Sequence, residues 1–289
     1  MDIEAVKNIC VIGTGVMGRQ IAALCALSGY ETSCVARSAA RAAEVEQFMD
    51  QYLAGRVAKG KLSEAQAAQA AANLKLSTGL EEAAQRADFV IEAVIEDLAV
   101  KQELFKKLDR ACPPHAILAT NSSYIGSSKL AAVTARPEQV CNMHFFNPAL
   151  VMKCVEVVKG PHTAAATAGL AMALARRLNK EPVLLHREIY GFLVNRIYRA
   201  IVQEACFLLD TGVASVEAID SAVVNGLGHP MGPFRLLDLT GIDLAYRARM
   251  DYYRETMDPA DKPPPSIVEK YARGEWGRKS GKGFYEYET

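Results

Sequence analysis

Between Asn8 and Leu185 the chain alternates short apolar runs with stretches of helical spacing, and beyond about His186 the apolar runs cease. Apolar runs bounded by turn residues read as strands buried on both faces, and helices returning between them call for a parallel sheet. The strands are expected at Asn8 to Gly13, Glu31 to Ala36, Phe89 to Ala93, Ala116 to Thr120, Val140 to Phe145, Cys154 to Val158 and Pro182 to Leu185. Helical spacing covers Gly15 to Ser28, an alanine-rich pair from Ala39 to Asn73 broken at Lys59-Gly60-Lys61, Leu98 to Ala111 and Thr163 to Leu178. The pattern therefore predicts an α/β domain over 1–186 built on a doubly wound parallel sheet, then an all-helical domain over 187–289. In the second domain helices are expected at Gly191 to Leu209, Ser215 to Asn225, Pro233 to Met257 with a break at Gly241, and Ser266 to Arg273, with Asp261 to Pro265 as a stiff exposed loop.

Charge and cysteine usage narrow the function classes. Thirty-three Lys plus Arg balance thirty-three Asp plus Glu, so no global field attracts nucleic acid or an anionic membrane, and a phosphate-bearing ligand must find a local cationic site. No apolar run approaches the roughly 20 residues of a membrane span. Seven scattered cysteines without a C-x-x-C pair argue against a metal site and against a disulfide framework. The expectation is a soluble, cytoplasmic protein with reduced, mostly buried thiols and no bound metal.

The first strand runs into Gly13-Thr14-Gly15-Val16-Met17-Gly18. Glycines at these spacings allow a tight turn, close approach of the backbone to a pyrophosphate and packing of helix on strand, while the helix N-terminus presents its amides to the ligand. Coming at the start of a βαβ unit, the motif makes the first domain a Rossmann-type dinucleotide-binding domain, with Gly13, Gly15, Val16, Met17 and Gly18 at the cofactor. At the end of the second strand, where an acid would hold the ribose of NAD, the chain has Ala36-Arg37-Ser38. A guanidinium and a hydroxyl without a carboxylate favour the 2'-phosphate of NADP; the alternative is that Arg37 lies solvated over the adenine and the coenzyme is NAD.

Three further clusters fall at strand ends, where ligands of such sheets bind. One contains Glu92, Glu96, Asp97 and Lys101, whose acids could instead cap the following helix. The second is Thr120-Asn121-Ser122-Ser123. In the third, Val140 to Pro148 (V-C-N-M-H-F-F-N-P) places His144 at the end of an apolar strand, and Val155-Glu156-Val157-Val158 sets a lone carboxylate in another. A buried glutamate needs a partner. Pairing it with His144 makes a base and its orienting acid, although a satisfied core histidine fits the spacing as well.

Taken in order, G-T-G-V-M-G, V-I-E-A-V-I-E-D, N-S-S, M-H-F-F-N-P, V-E-V-V, G-F-L-V-N-R, H-P-M-G-P and the C-terminal G-R-K-S-G-K-G-F-Y-E-Y resemble the short-form (S)-3-hydroxyacyl-CoA dehydrogenases of the 3-hydroxybutyryl-CoA type over nearly the whole chain. The resemblance implies interconversion of a 3-hydroxyacyl and a 3-oxoacyl CoA thioester with a nicotinamide coenzyme. It implies His144 as acid/base, Glu156 as its orienting carboxylate, Ser123 as a hydrogen-bond partner of the substrate oxygen and Asn195 as a holder of the acyl oxygen. Glu96 and Lys101 match residues at the nicotinamide end of the coenzyme, with Asn121, Arg37 and Ser38 completing its site. Lys59 best matches a CoA-contacting lysine, with Arg56 beside it; for Arg56 and Lys61 a solvated helix end is the alternative. A homodimer through the helical domain, and substrate held in the cleft between the domains, are further implications.

The chain also departs from that family's pattern. Ala36 replaces the ribose-binding acid, Gly55 stands where a CoA-contacting lysine is common and Ala54 where a serine is, Tyr124 follows Ser123 in place of a small hydroxyl residue, and Tyr190 replaces a proline before Gly191-Phe192. Two added rings point to an unusual or polar acyl group or one held by a tyrosyl hydroxyl, unless both simply pack at the domain junction. A carrier-protein thioester, a free hydroxy acid, and a binding protein that has lost the chemistry are the competing functional readings; intact His144, Glu156, Ser123 and Asn195 oppose the last.

Overall fold

Contacts divide the chain into two units, Met1–Phe192 and Leu193–Thr289, in a computed structural model that describes residues 2–288. In the first unit β1 (Asn8–Ile12), α1 (Val16–Leu27), β2 (Glu31–Val35), α2 (Ala39–Ala58), α3 (Glu64–Asn73), β3 (Leu74–Ser77), α4 (Leu80–Ala84), β4 (Phe89–Glu92), α5 (Leu98–Ala111), β5 (Ile117–Thr120), α6 (Ser128–Ala131), β6 (Val140–Phe145), β7 (Cys154–Val158), α7 (Ala165–Arg177) and β8 (Glu181–Leu185) follow one another. They form one eight-stranded sheet of order β3-β2-β1-β4-β5-β6-β7-β8. The strand order reverses on either side of β1, so helices cover both faces.

Alternation along the strands feeds two cores. Ile9, Val11, Phe89, Ile91, Met143 and Val157 pack against Ile21 and Leu24 of α1 and Leu174 of α7. Cys10, Ile12, Val90, Leu118 and Val140 pack on the other face against Phe105 and Leu108 of α5 and Leu130 of α6. Burying both faces of the sheet is what makes these strands continuously apolar.

Three features of the first unit differ from the sequence expectation. The sheet is not wholly parallel: β6 and β7 run antiparallel, with His144 directly opposite Glu156, and β8 follows β7 in parallel. The stretch 146–153 between them contains no helix to carry a crossover, so the chain turns back on itself. A strand missing from the reading, β3, pairs in parallel with β2 at the sheet edge; Leu-Lys-Leu-Ser is short and follows directly on α3, so it looks like a helix end. The unit boundary falls at Phe192 rather than 186. Glu188 fastens the last segment to the first unit by accepting from Ser127 Oγ (2.7 Å), Ser128 N (2.8 Å) and Ser128 Oγ (2.5 Å), and Phe192 packs with Val158 and Leu185.

The second unit contains α8 (Val194–Asp210), α9 (Val216–Leu227), α10 (Pro233–Thr240), α11 (Ile242–Thr256) and α12 (Pro265–Ala272) around Val202, Cys206, Phe234, Leu237, Ile242 and Ile267. The break between α10 and α11 falls at Gly241, whose φ of 104° admits no side chain without strain. Pro263 and Pro264, expected in an exposed loop, are buried. Two buried aspartates lock the C-terminal segment to the helices. Asp220 accepts from Phe234 N, Arg235 N and Tyr285 OH; Asp238 accepts from Phe284 N, Tyr285 N and Tyr287 OH. Among the described residues no helix is long and apolar enough to cross a membrane.

Candidate active site

The carboxyl ends of β4, β5 and β6 and the middle of the antiparallel β7 carry a row of polar side chains on one sheet face. Glu92 lies in register with Thr120, and Thr120 with Asn142; two residues further on, His144 faces Glu156. All five are buried, so each requires a hydrogen-bond partner. Glu92 accepts from Thr120 Oγ1, Lys101 Nζ and Val94 N, each at 2.6 Å. Asn142 braces the loop after β5, accepting from Ser127 N (2.7 Å) and donating to Ile125 O (2.9 Å). His144 Nδ1 stands 2.9 Å from Glu156 Oε2, and His144 Nε2 is 3.0 Å from Ser123 Oγ.

This chain of contacts sets the imidazole. A buried carboxylate at Nδ1 is an acceptor, so Nδ1 carries the proton and Nε2 presents its lone pair. Ser123 Oγ then donates to Nε2. The antiparallel turn of β7 is the cause, because it brings Glu156 into the cross-strand position beside His144. Phe146 and Phe192 pack their rings on the imidazole, with centroids 4.6 and 5.6 Å away, and hold its plane.

A groove of about 630 Å3 at the same strand ends collects Gly15, Val16, Met17, Arg37, Glu96, Lys101, Asn121 and Ser123 on its wall, together with Arg41, Ser122 and Tyr124. The glycines beneath and beside it differ in surroundings. A Cβ on Gly13 would sit 2.5 Å from Ala93 O and one on Gly18 2.0 Å from Gly13 O, whereas one on Gly15 would meet nothing within 4 Å. The first two permit strand and helix to close up, and the third leaves open space where α1 begins. Amides at a helix start with room before them fit the pyrophosphate of a dinucleotide.

Glu96 and Lys101 are joined to the buried row. Glu96 accepts from Ser122 Oγ and from Tyr124 N at 3.1 Å, and stands 3.5 Å from the Lys101 ammonium as an ion pair. Lys101, expected to face the coenzyme, is only 1% exposed and directs its ammonium first to Glu92. Asp97 does cap the next helix, accepting from Val100 N. Asn121 spends its carbonyl oxygen on Phe145 N (2.8 Å), tying β5 to β6. Ser38 caps α2 through Arg41 N (3.4 Å), leaving Arg37 as the exposed cation at the end of β2. Arg56 is half-buried in the last turn of α2, and Lys59 caps its end in solvent with Lys61 nearby; none of the three lines the groove. Asn195 is half-buried in the first turn of α8, in the second unit.

The sequence places Glu92 in a strand-end cluster without showing its partners, and gives no sign of Glu188. Glu92 is a lone acid in an apolar strand, the same signal that marks Glu156, but it stands among other acids that resemble a helix cap. Glu188 carries no local signal, since its serine partners lie some sixty positions earlier.

Two family models match nearly the whole chain: the NAD-binding domain of 3-hydroxyacyl-CoA dehydrogenase over residues 8–189, and the C-terminal domain of 3-hydroxyacyl-CoA dehydrogenase over residues 191–287. A Bacillus subtilis protein named as a probable 3-hydroxybutyryl-CoA dehydrogenase is 40% identical over 284 residues, 98% of each chain. Human mitochondrial hydroxyacyl-coenzyme A dehydrogenase is 36% identical, covering 98% of this chain and 91% of its own. Among solved structures, that of (S)-3-hydroxybutyryl-CoA dehydrogenase from Ralstonia eutropha superposes with a TM-score of 0.93 at 36% identity, over 99% of this chain and all of the other.

Proposed function

The chain belongs to the 3-hydroxyacyl-CoA dehydrogenase family, and from that membership and the site's geometry we propose that it interconverts an (S)-3-hydroxyacyl-CoA of the 3-hydroxybutyryl type and its 3-oxoacyl form. The observation that carries the reading is the line Ser123 Oγ, His144 Nε2, His144 Nδ1, Glu156 Oε2, with contacts of 3.0 and 2.9 Å.

In the oxidative direction His144 Nε2 takes the proton of the 3-hydroxyl as the C3 hydrogen leaves with its electron pair, so the carbinol loses one proton and one hydride. Acceptance of that hydride is the chemistry a nicotinamide coenzyme supplies when bound. Glu156 stabilises the imidazolium so formed and keeps its tautomer fixed for the next cycle. In reduction the imidazolium returns its proton to the oxygen at C3, where negative charge grows, and Ser123 donates to the same oxygen. Asn195 holds the acyl oxygen, and Arg56 and Lys59 meet the phosphates of CoA.

For the coenzyme we read NADP(H). Its support is the absence of an acid at Ala36 and the exposed Arg37 on the groove wall; a guanidinium favours a 2'-phosphate by charge and by its forked donors. The protein works as a homodimer, read from the family and from the exposed Ile197, Phe207, Leu227, Leu239 and Leu244 of the second unit, which light scattering in solution checks.

The experiment is turnover of acetoacetyl-CoA with NADPH and NADH in parallel. Consumption of reduced coenzyme that depends on the thioester is the expected result, faster with NADPH, and Arg37→Ala should erase that preference. No turnover with either coenzyme contradicts the activity; equal preference in wild type and Arg37→Ala contradicts the coenzyme reading alone. Lys59→Glu should raise KM for acetoacetyl-CoA while leaving that for a short acetoacetyl thioester without the nucleotide unchanged.

A further inference from the structure

Beside the Ser123–His144 contact lies a feature that proton transfer does not use. Tyr124, the residue after Ser123, lines the same groove, and its ring packs on that of Tyr190 with centroids 5.1 Å apart and planes at 33°. Both rings are half-buried. The chain invests in holding them there. Glu96 accepts from Tyr124 N, Asn142 ties Ile125 and Ser127 to β6, and Glu188 clamps Ser127 and Ser128 to the segment that carries Tyr190. Gly191, at φ 74°, and Phe192, at φ 49°, turn the backbone immediately afterwards so that Phe192 reaches the imidazole. One braced segment thus sets an aromatic wall next to the reacting centre.

Resting on the activity proposed above, we propose that the Tyr124–Tyr190 pair is the chain-length stop of the acyl site: the two packed, tilted rings fill the space that carbons beyond C4 would need, and restrict the enzyme to short 3-hydroxyacyl groups. Selection is by ring volume. Paired rings within a rigid backbone cannot be displaced by a methylene without losing their own contact, and each excluded methylene is worth about 1–3 kcal/mol, or roughly 10- to 200-fold in kcat/KM. A hydroxyl aimed at a polar acyl end would work differently, because it would depend on the phenol oxygen and not on the ring.

The test is kcat/KM for 3-oxoacyl-CoA thioesters of four, six, eight and ten carbons with the wild type, Tyr124→Ser, Tyr190→Ala and the double variant, and with Tyr124→Phe and Tyr190→Phe. A steep fall with length in the wild type, an eight-to-four-carbon ratio raised about tenfold or more by either truncation, and a wild-type profile in both phenylalanine variants are expected. A flat wild-type profile, truncations that leave the ratio unmoved, or phenylalanine variants that shift it as far as the truncations do would each overturn the steric stop. Turnover of no thioester at any length contradicts the parent activity instead, and is distinguishable because it appears in the wild type before any variant is made. Thermal unfolding of each variant identifies loss of fold; the phenylalanine pair, which keeps both rings, decides the question if a truncated variant fails to fold.

Discussion

Lys101 Nζ lies 2.6 Å from Glu92 Oε1, and the two side chains are 1% and 0% exposed. An ion pair so far from water is sustained by the bonds that complete it, here Thr120 Oγ1 and Val94 N on the carboxylate. Removing one partner leaves an uncompensated buried charge, a loss of about 3–5 kcal/mol. Lys101→Met should lower stability by that amount in urea titration, and Glu92→Gln somewhat less. Adding Glu92→Met to Lys101→Met should recover part of the loss, since two apolar groups need no partner. A single variant within about 0.5 kcal/mol of wild type would show that the pair is not buried as described.

Glu156 is expected to act through the imidazole and not on substrate. Glu156→Gln keeps the shape but removes the charge that stabilises the imidazolium, so kcat should fall by about 10²–10⁴ with little change in KM for coenzyme. The pH profile should change as well, because the base loses its stabilising partner. A variant with lower activity but an unaltered profile would reduce Glu156 to a packing residue.

The locks at Asp220 and Asp238 make a stability prediction with a sign in pH. Burial and the hydrogen bond to Asp220 push the Tyr285 phenol up, and burial and the bond to Asp238 do the same for Tyr287. A group whose folded pKa is raised contributes stability that is complete below its unfolded value and lost as pH rises through the folded one. The contribution should therefore hold up to about pH 10, the phenol's ordinary range, and disappear above it. Ultraviolet titration should find these two phenols among the last to ionise, and Asp238→Asn should bring Tyr287 down. Ionisation of both at the ordinary value would contradict the lock.

Thiol chemistry should be nearly silent in the native protein. Six of the seven cysteines are buried and Cys154 is partly exposed. Burial pushes the Cys34 and Cys141 thiols up to about 12 and those of Cys112 and Cys206 to about 11, so the reactive thiolate is scarce at neutral pH. A disulfide reagent should titrate no more than one thiol quickly before denaturation and all seven after it. Two or more fast thiols in the folded protein would be the contrary outcome.

Elements whose cause is local are legible in the sequence, and those held by distant partners are not. The strand, glycine loop and helix at residues 8–27 follow from neighbours in sequence, and so does the break at Gly241. His144 and Glu156 were recognisable because a single polar residue in an apolar strand must have a partner. Their pairing became certain only through the antiparallel β6–β7 contact, which parallel alternation does not foretell, although a connection too short for a helix was its trace. The family resemblance assigns Lys101 to the coenzyme, and it does line the groove; its ion pair with Glu92 was hidden because Glu92 stands among acids that resemble a helix cap. The boundary shift to Phe192 comes from Glu188 and Ser127, whose 61-residue separation leaves no local mark.

The central claim is that His144 moves the proton at C3 and takes no part in holding the coenzyme. The direct measurement is acetoacetyl-CoA reduction by His144→Ala, alongside coenzyme affinity by fluorescence titration. Turnover should drop by about 10³ or more with coenzyme affinity within roughly threefold of wild type. Reduction persisting within about tenfold of the wild-type rate would contradict the mechanism.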